Sequence, residues 1–306
     1  MISEMTMKSR VDGLDISVMV VAPESEPKAV LQLAHGVCGC KERFLPFMVY
    51  MSQKGIACIA GDHRGHGKSV RSAEDLGYMY KGGYLALVDD MRMITEWAHD
   101  AYPAKPLYLL GHSMGSMASR IYTKYDDSSI DGLILVASPS KEPIAAFARL
   151  MTGLLCAVGL SHHRMTLSQS FTSRKYNRRF ASEGKQAWLC SDPESRRVFI
   201  DNPVCNFTLT ANGVYNLLSM MADTYRADKW DVSNPSLPIY FISGSEDPLM
   251  LGEKMFHRSV QNICDRGYTD VTSAIYPYMR HEVLNEIGKE EVWNDILDFI
   301  KLKSNG

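Results

Sequence analysis

The stretch LYLLGHSMGSMASRIY, Leu107 to Tyr122, decides how this chain folds. Its first residues form an apolar, strand-like run and its last an amphipathic helix. Gly111-His112-Ser113-Met114-Gly115 must therefore turn the chain between them within five residues. A Gly-x-Ser-x-Gly turn from strand to helix is a nucleophile elbow. The glycines are required where backbone packs on backbone and a Cβ would collide, and the strained turn lifts the serine hydroxyl above the sheet edge. The following helix contributes N-terminal amides and the positive end of its dipole.

Working outward, apolar runs recur at 16–22, 29–36, 56–62, 133–138, 239–245 and 271–277. Helical patterns lie between several of them, including FLPFMVYMSQKG, YLALVDDMRMITEWAHDAY, FHRSVQNICDRG and the closing VLNEIGKEEVWNDILDFIKLK. Strands that are apolar on both faces and alternate with helices indicate an α/β fold with a mostly parallel central sheet flanked by helices.

The alternation stops between Ser138 and Pro235, where helical fragments and polar clusters show no strand rhythm. The expected organisation is a core of residues 1–137 and 236–306 and an inserted, mainly helical cap of residues 138–235. The cap would sit over the C-terminal edge of the sheet, where open α/β folds bind ligands. Its most apolar run, Ile144 to Leu160, contains Arg149 and two glycines and is too short for a comfortable membrane span. It is expected to be a buried or groove-lining helix.

A serine hydroxyl is a weak nucleophile until a base takes its proton, and that base needs an acid to orient it. Both appear downstream in that order. Asp247 follows the strand IYFISGS, and His281 follows VTSAIYP. Each stands past a strand's C-terminal end, where it would converge on Ser113. Glu246 is the rival acid, expected to point the other way. His99 and His257 lie in amphipathic helices and read as surface or packing residues, and His112 reads as steric support for the turn. An oxyanion would be met by two backbone N–H groups, from Met114 after the serine and from Val37 in the loop AHGVCG.

Composition removes other functions. The 33 Lys and Arg against 35 Asp and Glu leave a net charge of −2, so no basic field draws nucleic acid. The run GDHRGHGKS ends like a phosphate-binding loop, but that motif needs glycine where Asp62 stands. It is read as a loop bracing the floor of the site. The seven cysteines contain no C-x-x-C pair, and Cys38 and Cys40 lack a second pair to complete a zinc site. No metal and no cofactor are expected. The first residues carry charges and sustain no apolar run, so no cleaved export signal is expected and the chain is read as cytoplasmic.

Together HGVCGCKERF, GDHRGHGKS, GHSMGS, SGSEDP and RHEVLNE, in this order, resemble the α/β-hydrolase branch that holds monoacylglycerol lipases, bacterial lysophospholipases and serine aminopeptidase S33 proteins. The resemblance spans roughly residues 28–137 and 237–303 and implies a Ser113, Asp247, His281 triad with an oxyanion hole at Val37 and Met114. It implies a serine hydrolase that cleaves a carboxylic ester through an acyl-enzyme, the substrate being a monoacylglycerol or lysophospholipid. An aminopeptidase or amidase is the alternative, although proline-releasing members usually place tryptophan where this chain has Met114. A non-catalytic protein binding a hydrophobic ligand is a third reading, disfavoured because all three triad residues are present. In the cap, Trp188, Phe207, Tyr215 and Leu218 are candidates to line an acyl pocket. Arg174, Lys175, Arg178 and Arg179 form a solvated helix face, or a patch for transient contact with a membrane surface.

Overall fold

The computed structural model of the chain describes residues 1–228 and 230–304. Lys229, within the expected cap, and Asn305 and Gly306, at the end of the expected core, lie outside the described residues. One eight-stranded sheet organises the molecule. Its strands are β1 (Ile2–Lys8), β2 (Asp15–Val21), β3 (Ala29–Ala34), β4 (Ile56–Gly61), β5 (Leu107–His112), β6 (Gly132–Val136), β7 (Ile239–Gly244) and β8 (Val271–Tyr276). They lie in the order β1-β2-β4-β3-β5-β6-β7-β8. Only the β1–β2 and β2–β4 pairings are antiparallel. The parallel remainder puts the C-terminal ends of β3 to β8 along one edge.

The central strands are apolar throughout because both faces are covered. Leu107 and Leu109 of β5 enter one core cluster with helices α2 (Gly83–Ala101), α3 (Met114–Asp126) and α8 (Glu253–Cys264). Tyr108 and Leu110 point the opposite way, to α1 (Leu45–Gln53) and α9 (Lys289–Ser304).

Two strands depart from the sequence reading. β1 was not anticipated: it pairs on one side only, is largely exposed, and therefore carries no apolar run. Its Glu4 and Lys8 suit an edge that must not recruit further strands. At the other edge, β8 is only partly buried rather than apolar on both faces.

Between β6 and β7 the described residues hold four α-helices, α4 (Ala145–Ala157), α5 (Thr166–Asn177), α6 (Pro193–Asp201) and α7 (Ala211–Thr224). The segment is tied down at its end, where the Asp127 carboxylate accepts from the amides of Ser233 and Asn234. Of the buried or groove-lining helix expected at Ile144 to Leu160, the buried alternative is corrected. Thr152 is the one buried residue of α4. Phe147, Leu150 and Leu154 stand 62%, 60% and 51% exposed. Helical periodicity identifies an apolar face but not what covers it.

Candidate active site

The elbow forms as its spacing requires. Ser113 sits between β5 and α3 at φ 55°, ψ −115°, a conformation that a residue with a side chain rarely adopts. A Cβ on Gly111 would stand 2.4 Å from the Gly115 carbonyl oxygen, and one on Gly115 would stand 2.0 Å from that of Ala34. The Ser113 amide donates to the Val136 carbonyl at 2.9 Å, which locks the turn to β6.

The Ser113 hydroxyl lies 2.8 Å from His281 Nε2, and His281 Nδ1 lies 2.9 Å from Asp247 Oδ2. A carboxylate only accepts, so the proton sits on Nδ1 and leaves Nε2 free to accept from Ser113. The second Asp247 oxygen accepts from the Leu249 amide at 2.9 Å and fixes the carboxylate. All three residues are buried, at 3 to 4% exposure. Glu246 turns away to pair with Arg179 at 2.6 Å. His112 donates through Nε2 to the His281 carbonyl at 3.1 Å, and its ring blocks the space above Gly36, where a Cβ would lie 2.9 Å from Nδ1. Burial pushes the His112 pKa down to about 4, so this ring stays neutral and acts as a wedge. His99 bonds the Ser129 carbonyl at the surface, and His257 is exposed on α8.

The flanks of His281 are anchored in the β6–β7 segment. Arg280 pairs with Glu183 at 2.7 Å and lies 3.8 Å from the centre of the Phe180 ring. Glu282 pairs with Arg43, which also donates to the Ser195 carbonyl. Burial alone would raise the Glu282 carboxyl, but the adjacent Arg43 outweighs it and holds the pKa below the ordinary range.

Val37 and Met114 belong to the two backbone stretches beside Ser113. Met114 opens α3, so its amide is among the four that a helix leaves without an intrahelical partner. The Val37 loop is a tight turn closed by the Gly39 amide on the Gly36 carbonyl at 3.2 Å. Behind it, GDHRGHGKS supplies Asp62, which is buried and accepts the Lys41 ammonium at 2.9 Å and the amides of Lys41 and Lys68. Gly67 is needed there, because a Cβ would meet the Asp62 carboxylate at 2.2 Å. His35 donates from Nδ1 to the Gly36 carbonyl and accepts the His63 amide.

Of the four expected lining residues, Trp188 reaches the site, its ring 5.3 Å from that of His281. Phe207 lies over the Val37 loop, where its carbonyl accepts from the Cys38 thiol at 3.2 Å. Tyr215 is on α7 against Gly153 of α4, partly exposed, and Leu218 is half-buried on the same helix. Arg174, Lys175, Arg178 and Arg179 are exposed. The sequence reading missed Tyr176, which packs 5.3 Å from Trp188 and lines a cavity of about 230 Å³ beside Asp247 with Phe180, Glu246 and Leu251. It also missed Gln186 and the Lys41–Asp62 pair, whose partners are distant in the chain.

An elbow at the C-terminal edge of a mostly parallel sheet of eight strands defines an α/β-hydrolase. The chain belongs to the serine aminopeptidase S33 family, whose model matches residues 25–288. It is similar to a monoacylglycerol lipase of Mycolicibacterium smegmatis, 24% identical over 95% of this chain and 94% of that one. Its structure is similar to that of a thermostable carboxyl esterase from Bacillus coagulans, solved with glycerol, at a TM-score of 0.88, 25% identity and 99% coverage of both chains. A monoglyceride lipase from Saccharomyces cerevisiae shares the fold at a TM-score of 0.76 and 17% identity, over 98% of this chain and 94% of that one. The chain is a carboxylic ester hydrolase.

Proposed function

We propose that the chain is a monoacylglycerol lipase that works through an acyl-enzyme. Ser113 attacks the acyl carbon while His281 takes its proton, and Asp247 holds the imidazolium that forms. The amides of Val37 and Met114 meet the oxyanion, His281 returns the proton to the departing glycerol oxygen, and water then releases the fatty acid. Residues 138–235 act as the cap. The observation that carries the reading is the hydrogen-bonded series from Ser113 through His281 to Asp247, at 2.8 and 2.9 Å. The named relatives support the substrate class, since the Mycolicibacterium enzyme is a monoacylglycerol lipase. A fluorophosphonate label that attaches to Ser113, is absent from Ser113→Ala, and is competed by a monoacylglycerol is the expected result. Labelling that persists in Ser113→Ala removes the proposal.

The family's description as serine aminopeptidase favours a second reading, cleavage of an amino-terminal amide. Turnover of aminoacyl naphthylamides above that of aryl esters would select it.

Transient membrane contact through the cap is also suited by the exposed apolar side of α4, where Phe147, Leu150 and Leu154 recur at helical spacing and Val158 follows at the C-cap. Such a surface suits brief contact with a lipid interface. Among the described residues no helix is long and apolar enough to cross a membrane.

A further inference from the structure

The chain between Gln186 and Phe207 touches both halves of the candidate site. Trp188 lies against His281, its ring tilted by 37° to the imidazole. Its indole N–H donates to Gln186 Oε1 at 2.8 Å. Gln186 Nε2 donates to Asn206 Oδ1 at 2.8 Å, and the Asn206 amide donates to the Cys38 carbonyl at 2.9 Å. One series of hydrogen bonds therefore runs from the ring beside the imidazole to the residue that follows Val37. The Cys38 thiol adds a parallel contact to the Phe207 carbonyl.

The backbone along this series is strained at three points. Gln186, Asn206 and Cys38 have φ values of 56°, 51° and 57°. The left-handed region costs an ordinary residue about 1–2 kcal/mol, and asparagine alone of these three is favoured there. Such residues persist where surrounding contacts over-determine them, and they gather at functional sites. Three residues distant in sequence, strained alike and joined by one hydrogen-bond series, form a built device rather than three separate turns.

We propose that Gln186 is a positioning residue that sets the His281 ring and the Val37 loop against each other. Through Trp188 it fixes the wall on which the imidazole rests. Through Asn206 it fixes Cys38, and with it the direction of the Val37 amide. An uncharged amide suits this place because one planar group must accept on one side and donate on the other. The proposal rests on the roles assigned to Ser113 and His281 above. It separates Trp188 from a simple acyl-pocket wall, because a wall that only holds substrate alters KM, whereas misplaced reacting groups lower kcat.

The test uses the full chain with a water-soluble short-chain aryl ester as the probe, together with the rate of fluorophosphonate attachment to Ser113. Gln186→Met keeps the length of the side chain and removes its bonds to Trp188 and Asn206, together with a longer one from the Ser173 hydroxyl at 3.3 Å, and Trp188→Phe keeps a ring and removes the N–H. Each is expected to lower kcat and the labelling rate about tenfold or more with KM changed by less than about twofold. Gln186→Glu keeps the acceptor for Trp188 and should fall between Gln186→Met and the parent. A folded Gln186→Met protein with the parent kcat overturns the proposal, as does a change confined to KM. If Gln186→Met does not fold, Trp188→Phe decides by the same readings. Failure of the parent itself to label at Ser113 removes the proposed nucleophile and this inference with it, whereas a labelled parent with unaffected variants removes the inference alone.

Discussion

Gly115 packs so closely beneath Ala34 that a Cβ placed on it would stand 2.0 Å from the Ala34 carbonyl oxygen. The elbow of one strand is thus seated on the backbone of its neighbour, where neither partner has a flexible side chain to yield. Gly115→Ala is expected to destabilise the chain by about 3 kcal/mol or more, because overpacking here must displace a strand. Urea unfolding measures it, and a midpoint equal to that of the parent contradicts the account.

The hydrogen bond from His281 Nδ1 to Asp247 separates the roles of the acid and its neighbour. Asp247→Asn is expected to lower kcat by about 10⁴-fold, since an amide no longer selects the tautomer that leaves Nε2 free. Glu246→Gln, which weakens the pairing with Arg179 and the longer one with Arg280 at 3.8 Å but leaves the Asp247–His281 bond in place, should retain most of the activity. Steady-state rates on an aryl ester compare the two, and equal losses would refute the assignment.

Lys41 and Asp62 form a fully buried ion pair behind the Val37 loop. Lys41→Met leaves a buried carboxylate uncompensated and is expected to cost about 3–5 kcal/mol. Adding Asp62→Asn removes that charge while keeping one acceptor for the loop amides, and should recover part of the loss. Chemical denaturation of the single and double variants gives the answer, and a double variant weaker than the single one would show that charge is not the cause.

Stability should fall on mild acidification. Burial lowers His35 and His112 to about 4 and His66 to about 3, and His63 lies well below its ordinary 6.5. The unfolded chain regains the ordinary value, so below that pH it binds protons that the folded chain refuses. The stability present above pH 6.5 is therefore lost as pH falls toward about 4, by roughly 1.4 kcal/mol per pH unit for each fully engaged histidine. Urea midpoints measured at about pH 7 and about pH 5 should differ by several kcal/mol in unfolding free energy, and equal midpoints contradict this.

The exposed side of α4 should matter for interfaces and not for folding. Phe147→Ser with Leu154→Ser removes apolar area that the fold leaves mostly in solvent. Turnover of an emulsified long-chain monoacylglycerol is expected to drop several-fold, while a dissolved short-chain ester is cleaved at the parent rate. Equal effects on both substrates would show that the helix serves the site and not an interface.

The central strands were legible because two covered faces force every residue of a strand to be apolar, as in Leu107 to Leu110. The edge strand β1 was not, since pairing on one side leaves Glu4, Thr6 and Lys8 in solvent and dilutes the pattern. The elbow was legible because its requirement is local: glycines on either side of Ser113 where backbones touch. Asp247 and His281 followed from the chemistry that a serine needs and from strand ends to carry them.

What stayed hidden depends on partners far apart in the chain. No spacing pairs Lys41 with Asp62, or Gln186 with both Trp188 and Asn206. The apolar run of α4 shows the same limit, for composition records that its side chains avoid water without recording whether the fold supplies a cover. The amino-acid order by itself determined the central strands and the turn and pointed to Ser113, Asp247 and His281 as candidates, because each obeys a short-range steric or chemical rule. Tertiary packing alone decided which buried charges meet, which loop is strained and which apolar face is left to solvent, because those are settled by distances between segments that the order of residues does not contain.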